Sequence, residues 1–156
     1  MLDALARKLE SLLDGSEESA SAQDEEHAIR LAAAALLVEV ARADFDFDAE
    51  EALALEQLLR RHYALTEEEA MLLREEASER VEHSVSLFEF TRTLHERLDE
   101  RQKSELMGRL WAVAFADGRL DKYEDAMVLK IGELLYVPRS EVMRRKLLAR
   151  PEQGRE

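Results

Sequence analysis

The sequence contains no cysteine, which excludes disulfide bonds, thiolate zinc sites and cysteine nucleophiles. A chain without cysteine fits a reducing compartment. Its opening residues, MLDALARKLE, mix acidic and basic side chains where a secretory signal would be basic and then apolar. We therefore expect a cytoplasmic protein.

Long apolar runs are also missing, and the longest, Leu31 to Val38, is far shorter than the roughly 20 residues that cross a bilayer. We expect no transmembrane segment. The net charge of −13 repels phosphate backbones and anionic headgroups, so we expect neither nucleic-acid binding nor peripheral membrane association. A cation or a basic protein partner fits this charge better, and a homodimer is one alternative for the assembly. The stretch from Arg139 to Arg150 is an exception, because its cations outnumber its acids.

Glycine and proline are scarce, strand-like alternation is absent, and Ala, Leu, Glu and Arg are abundant, which together predict an all-α protein. We expect an N-terminal helix over residues 1–14, a flexible linker over 15–23, a helical domain over 24–150 and a tail over 151–156. Within the domain, a long buried helix follows Asp24. Later helices are predicted over Asp48–His62, Thr66–Glu82, Ser86–Leu98, Glu100 (or Asp99) to Ala116, Asp121–Leu135 and Ser140–Ala149. Cap residues with Glu three positions later, as at Thr66 and Ser86, predict capping boxes.

An internal repeat links two parts of the chain, since ARADFDFDAEE from Ala41 aligns with AFADGRLDKYED from Ala114. Apolar positions outside the motif also agree between the two copies. Each copy predicts a helix, a short acidic loop and a second helix. We expect a compact bundle of about seven to eight helices in which two such pseudo-repeated hairpins are related by an approximate two-fold axis.

Each copy carries three carboxylates at the same spacing, which makes six candidate metal ligands: Asp44, Asp48 and Glu51 in the first, and Asp117, Asp121 and Glu124 in the second. The first Asp ends one helix, the second begins the next, and the Glu lies one turn further. Oxygen ligands suit Ca²⁺, Mg²⁺ or Mn²⁺, whereas the lack of cysteine and of paired histidines disfavours zinc and copper. The sequence thus indicates a hard divalent metal ion and no organic cofactor.

A capping role explains part of the same pattern, because Asp48 with Glu51 and Asp121 with Glu124 have the spacing of capping boxes. It leaves Asp44 and Asp117 unexplained, since acids near a helix C-terminus are unfavourable unless a metal, an arginine such as Arg42 or Arg119, or solvent compensates. An EF-hand is excluded, because its glycine and final glutamate are replaced by Ala49 and Leu55. A two-metal hydrolase is a further alternative.

The run AFADGRLDKYED, with its weaker echo ARADFDFDAEE, resembles the acidic signature of TerB-like proteins, the tellurite-resistance helical domain. The resemblance implies an all-α bundle of about seven helices, no known enzymatic activity, and metal binding by the six carboxylates named above. Phe45 departs from the pattern, because it stands where the family has a glycine, as Gly118 does in the second copy. Phenylalanine avoids left-handed backbone, so we expect the first loop to differ in shape from the second and to bind a metal ion less well.

The functional hypothesis is a non-enzymatic TerB-like module that binds a divalent metal ion in a stress or tellurite-resistance-type response. The alternative is a protein–protein interaction or scaffold domain whose acidic surface recruits a partner and whose repeated acids only cap helices. Trp111, on a strongly apolar helix, is expected in the core.

Overall fold

The fold was obtained as a computed structural model, which describes residues 16–151, with side chains from residue 21 onward. These residues form seven α-helices and no strand, as the sequence predicts. In chain order the helices are α1 (Ser16–Ala41), α2 (Ala49–Tyr63), α3 (Glu67–His83), α4 (Phe88–Arg97), α5 (Glu100–Ala114), α6 (Lys122–Leu134) and α7 (Arg139–Ala149).

Helix α1 forms the centre of the bundle. Its segment from Leu31 to Val38 is apolar at every position and buried on all sides. The alanines within it allow neighbouring helices to approach closely. Accordingly α1 contacts α2, α3, α4, α5 and α6, while α7 packs on α5 and α6.

The two predicted hairpins are α1 with α2 and α5 with α6, and they pack directly on each other. Helix α1 contacts α5 and α6, and α2 in turn contacts α5. Contacts of α1 with α6 and of α2 with α5 are the reciprocal pair that a two-fold relation requires. Trp111 on α5 is fully buried, and its indole N–H donates to the carbonyl of Val142 on α7 at 3.0 Å. The predicted core role of Trp111 is confirmed.

Local sequence sets most helix starts. Thr66 and Glu69 form the predicted capping box at the start of α3. At α4 the helix starts later than predicted, because Leu87 occupies the N-cap position without a side-chain cap. Ser86 instead accepts a hydrogen bond from the amide of Phe88 at 3.2 Å. The bounds of the other helices after α1 agree with prediction to within two residues.

The predicted linker is wrong for residues 16–23, because α1 already begins at Ser16. This segment is polar and small, but it contains neither glycine nor proline, and Ala, Glu and Gln within it are good helix formers. Extending an existing helix costs far less than nucleating one, so the long buried helix continues toward the N-terminus. The helix predicted over 1–14 and residues 152–156 of the predicted tail lie outside the described residues.

No helix in the described range is both long enough and apolar enough to cross a membrane.

Candidate metal-binding site

The two acidic loops have the same backbone geometry. In the first, Asp44 ends the turn after α1, and its Oδ1 accepts a hydrogen bond from the amide of Asp46 at 3.0 Å. In the second, Asp117 follows α5, and its Oδ1 accepts a hydrogen bond from the amide of Arg119, also at 3.0 Å. Such Asx turns let a short loop reverse direction while the aspartate stays at the end of the preceding helix.

Phe45 and Gly118 both adopt left-handed backbone, with φ of 66° and 86°. The expectation that the first loop differs in shape is therefore wrong. The left-handed conformation costs a non-glycine residue about 1–2 kcal/mol, which the surrounding turn offsets at Phe45. The Phe45 side chain is 91% exposed, and its ring meets Tyr123 at the start of α6 edge-on, with 6.1 Å between centroids. This aromatic contact, which the sequence did not predict, places the first loop beside the second hairpin.

Asp48 and Asp121 cap the helices that follow the loops. Asp48 Oδ1 accepts a hydrogen bond from the amide of Glu51 at 2.8 Å, and Asp121 Oδ1 accepts one from the amide of Tyr123 at 2.7 Å. Neither Glu51 nor Glu124 returns the second hydrogen bond of a capping box within the described chain. Capping therefore explains the two aspartates but not the two glutamates.

Glu51 and Glu124 are buried, each with only 2% of its surface exposed. In each carboxylate, Oε2 is buried and has no hydrogen-bond partner among the described residues. A buried polar group without a partner costs about 1–3 kcal/mol, and more when it is charged. A solvated or helix-capping glutamate would not carry this cost.

Electrostatic coupling links the two loops. Burial raises the pKa of Glu124 to about 8, and the charge of Glu51, from the other copy, is the next largest cause, followed by Asp44. Burial likewise raises the pKa of Glu51 to about 7, with the aspartates of its own loop next and a smaller effect of Asp117. We call the six carboxylates the acidic cluster: Asp44, Asp48, Glu51, Asp117, Asp121 and Glu124.

The acidic cluster is not arranged as a finished ligand set. Among the described residues, no three carboxylate or histidine side chains stand in positions that could hold a metal ion together. Arg42, considered above as a counter-charge for Asp44, pairs with Glu82 at 4.0 Å. The charges of the two glutamates and the loop aspartates thus act on one another. Their side chains would have to rotate before they could bind one cation together.

The seven-helix bundle with two acidic hairpins defines a class of all-α domains, and sequence comparison identifies the family. Residues 30–147 match the family described as tellurite resistance protein TerB, and the chain belongs to that family. The fold is similar to the crystal structure of a protein of unknown function from Porphyromonas gingivalis W83, which is 17% identical. That alignment covers 78% of this chain and 95% of the other, with a TM-score of 0.58. Among curated proteins, no sequence matches this one.

Proposed function

We propose that the acidic cluster binds one divalent cation, for which Glu51 and Glu124 supply the innermost oxygens. The observation that carries this proposal is the pair of buried carboxylate oxygens that have no hydrogen-bond partner in the part of the chain that the structure describes. Protein interiors usually pair such groups with a donor or a metal. Among the described residues no basic side chain pairs with these two oxygens, and the two halves of the cluster repel each other, so a cation would relieve both costs.

The chemistry of the donors favours a hard ion. All six candidate ligands are carboxylates, which suit Ca²⁺, Mg²⁺ or Mn²⁺. In each aspartate, Oδ1 accepts a backbone hydrogen bond, which fixes the side chain and leaves Oδ2 available as a ligand. Rotation of the two glutamates toward the loop aspartates would complete the coordination. Because the two copies face each other, we expect one shared ion.

The family match supports a module of the tellurite-resistance type. We propose that this module is cytoplasmic and non-enzymatic, and that metal binding alters its contacts with a protein partner in a stress response. The net charge of −13 favours a basic partner surface.

Calorimetric titration of EDTA-treated protein with Ca²⁺, Mg²⁺ and Mn²⁺ tests the proposal, together with thermal unfolding at each ion concentration. A bound ion stabilises the folded state by about 2.7 kcal/mol at a concentration one hundred times Kd. Glu124→Gln should remove this gain. Glu50→Gln is the matched control, because it makes the same substitution at an exposed neighbour of Glu51. Absence of heat and of a melting shift at millimolar ion would exclude the metal function.

The scaffold alternative is favoured by the four aspartate Oδ1 atoms that accept backbone hydrogen bonds. If the acids act only on local backbone, Asp117→Asn should leave the response to ions unchanged and shift basal stability only slightly. Metal binding predicts that the same substitution weakens the response. A two-metal hydrolase is a third alternative, and it needs two ions about 4 Å apart. The number of ions bound per chain therefore distinguishes it from the proposed one-ion site.

A further inference from the structure

A second site lies at the opposite end of α6 from the acidic cluster. A cavity of about 590 Å³ opens between α4, the first turns of α5, the loop after α6 and the start of α7. Asp121 precedes α6 and Tyr136 follows it, so the 13-residue helix separates the two sites by about 20 Å. This volume lies within the range of about 300–1,000 Å³ that small-molecule sites occupy.

The cavity wall is basic, although the protein as a whole is strongly acidic. Four cations line it, against two acids, Glu100 and Glu141; the cations are Arg101, Lys103, Arg144 and Arg145. Arg144 pairs with Glu141, and Arg101 pairs with Glu105 at 3.1 Å. For Lys103 and Arg145 the described chain contains no carboxylate partner within ion-pair distance. Arg145 still attracts Glu141 over a longer distance, so Lys103 is the cation that contributes most to the positive character of the cavity.

Lys103 is the more unusual of the two, because only 9% of its surface is exposed. Its Nζ lies 2.6 Å from Nδ1 of His95, which accepts one hydrogen bond but supplies no negative charge. Arg145 donates from Nε to Ser104 Oγ at 2.9 Å, and this hydroxyl in turn donates to Glu141 at 2.5 Å, so Arg145 reaches a carboxylate only through Ser104. Buried cations are normally paired with an anion, so Lys103 makes this part of the wall suited to an anionic ligand.

Two further features point to the same kind of ligand. Pro138 lines the cavity just before α7 begins, so the positive end of the α7 dipole adds to the charge of the wall. At the edge, Tyr136 is 76% exposed and has left-handed backbone with φ of 59°. Its ring lies beside that of His95, with 4.7 Å between centroids. The left-handed backbone of Tyr136 ends α6, since the amide of Val137 donates to the carbonyl of Gly132, and it leaves the exposed ring as a flat surface for stacking.

We propose that this cavity binds a small phosphorylated ligand with a planar ring, the chemistry of a nucleoside phosphate. Lys103 and Arg145 contact the phosphate groups, and Tyr136 stacks on the ring. The sequence predicts no organic cofactor, and binding of such a ligand would revise that prediction. This site is independent of the metal function, because none of its lining residues belongs to the acidic cluster.

Calorimetric titration of the full chain with pyrophosphate and with ADP, in EDTA, tests the phosphate contacts without involving the metal. Lys103→Met keeps the length of the buried side chain and removes its charge, so both ligands should bind about tenfold more weakly or worse. Arg145→Met should weaken binding of both ligands in the same way, and it provides the test if Lys103→Met fails to fold. Arg92→Gln is the control, because Arg92 is an exposed cation of α4 away from the cavity, and it should bind as the unaltered chain does.

Tyr136→Asn tests the ring, since asparagine tolerates left-handed backbone and removes the aromatic surface. ADP should bind the unaltered chain more tightly than pyrophosphate does, and Tyr136→Asn should abolish that difference. Failure of both ligands to bind at millimolar concentration would overturn the proposal. Binding that survives in both Lys103→Met and Arg145→Met would overturn it too, because the ligand would then lie elsewhere. Equal affinity for ADP and pyrophosphate in the unaltered chain would refute the stacking role of Tyr136.

Discussion

The metal-free protein should become less stable as the pH rises from about 5 to about 8, and Glu124 should be the main cause. Its pKa is raised from 4.5 to about 8 in the folded chain. The folded state therefore holds a proton that the unfolded state has released, and this stability is lost as the pH rises through that window. A pKa change of one corresponds to about 1.4 kcal/mol. Glu124 alone should thus lower the free energy of unfolding by about 3 kcal/mol between about pH 5 and about pH 8.

Thermal unfolding followed by circular dichroism in EDTA measures this effect, which corresponds to a fall in Tm of about 6–12 °C. Glu51 adds to the fall, but by less than its own pKa suggests, because the two glutamates share their repulsion. Glu124→Gln should flatten the profile and leave the protein more stable than the unaltered chain at the upper end. Glu50→Gln reports the background from exposed acids. Equal pH dependence in Glu124→Gln and Glu50→Gln would show that Glu124 is not the buried, repelled carboxyl that the structure describes.

Two other predictions concern the glycines, and urea unfolding measures both. Gly132→Ala should destabilise the protein by about 1–2 kcal/mol, because the added Cβ would lie 2.8 Å from Val142 Cγ2 and overpack the contact between α6 and α7. Gly108→Ala on α5 is the matched control, because its new Cβ would meet Arg145 Cδ at an ordinary distance of 3.5 Å. This variant should gain about 0.5–1 kcal/mol in stability, since alanine is the better helix former. A similar loss of stability in both variants would contradict the packing argument. Gly118→Ala should cost about 1 kcal/mol through its φ of 86° alone, since apart from the chain neighbours no heavy atom of the described residues lies within 4 Å of the new Cβ. An unchanged stability would show that the loop relaxes.

Local features of the sequence predicted the helices well, because caps and apolar periodicity act over a few residues. Thr66 with Glu69 identified the start of α3, and the apolar run from Leu31 identified the central helix. The linker prediction failed at residues 16–23 because local composition does not decide the structure there. A polar composition resembles a linker, whereas the continuation of a helix depends on the helix that already exists beside it.

Phe45 shows a second limit of local inference. Its side chain disfavours left-handed backbone, so the sequence predicted a different first loop. The turn at Asp44 and the edge contact with Tyr123, a residue far along the chain, hold the same conformation that Gly118 adopts freely. The surrounding turn offsets this preference of about 1–2 kcal/mol, and the residue type at position 45 does not reveal that.

The sequence by itself determined the helical class, the repeat and the identity of the six carboxylates, because these depend on residue type and spacing. Only the tertiary structure decided that Glu51 and Glu124 lie buried. Only it decided that carboxylates of the first copy raise the pKa of Glu124 in the second. Only it assembled Lys103, Arg145 and Tyr136 around one cavity. The physical reason is that burial and charge coupling are set by which helices pack together, and residues separated by many turns of sequence become neighbours only in the folded bundle.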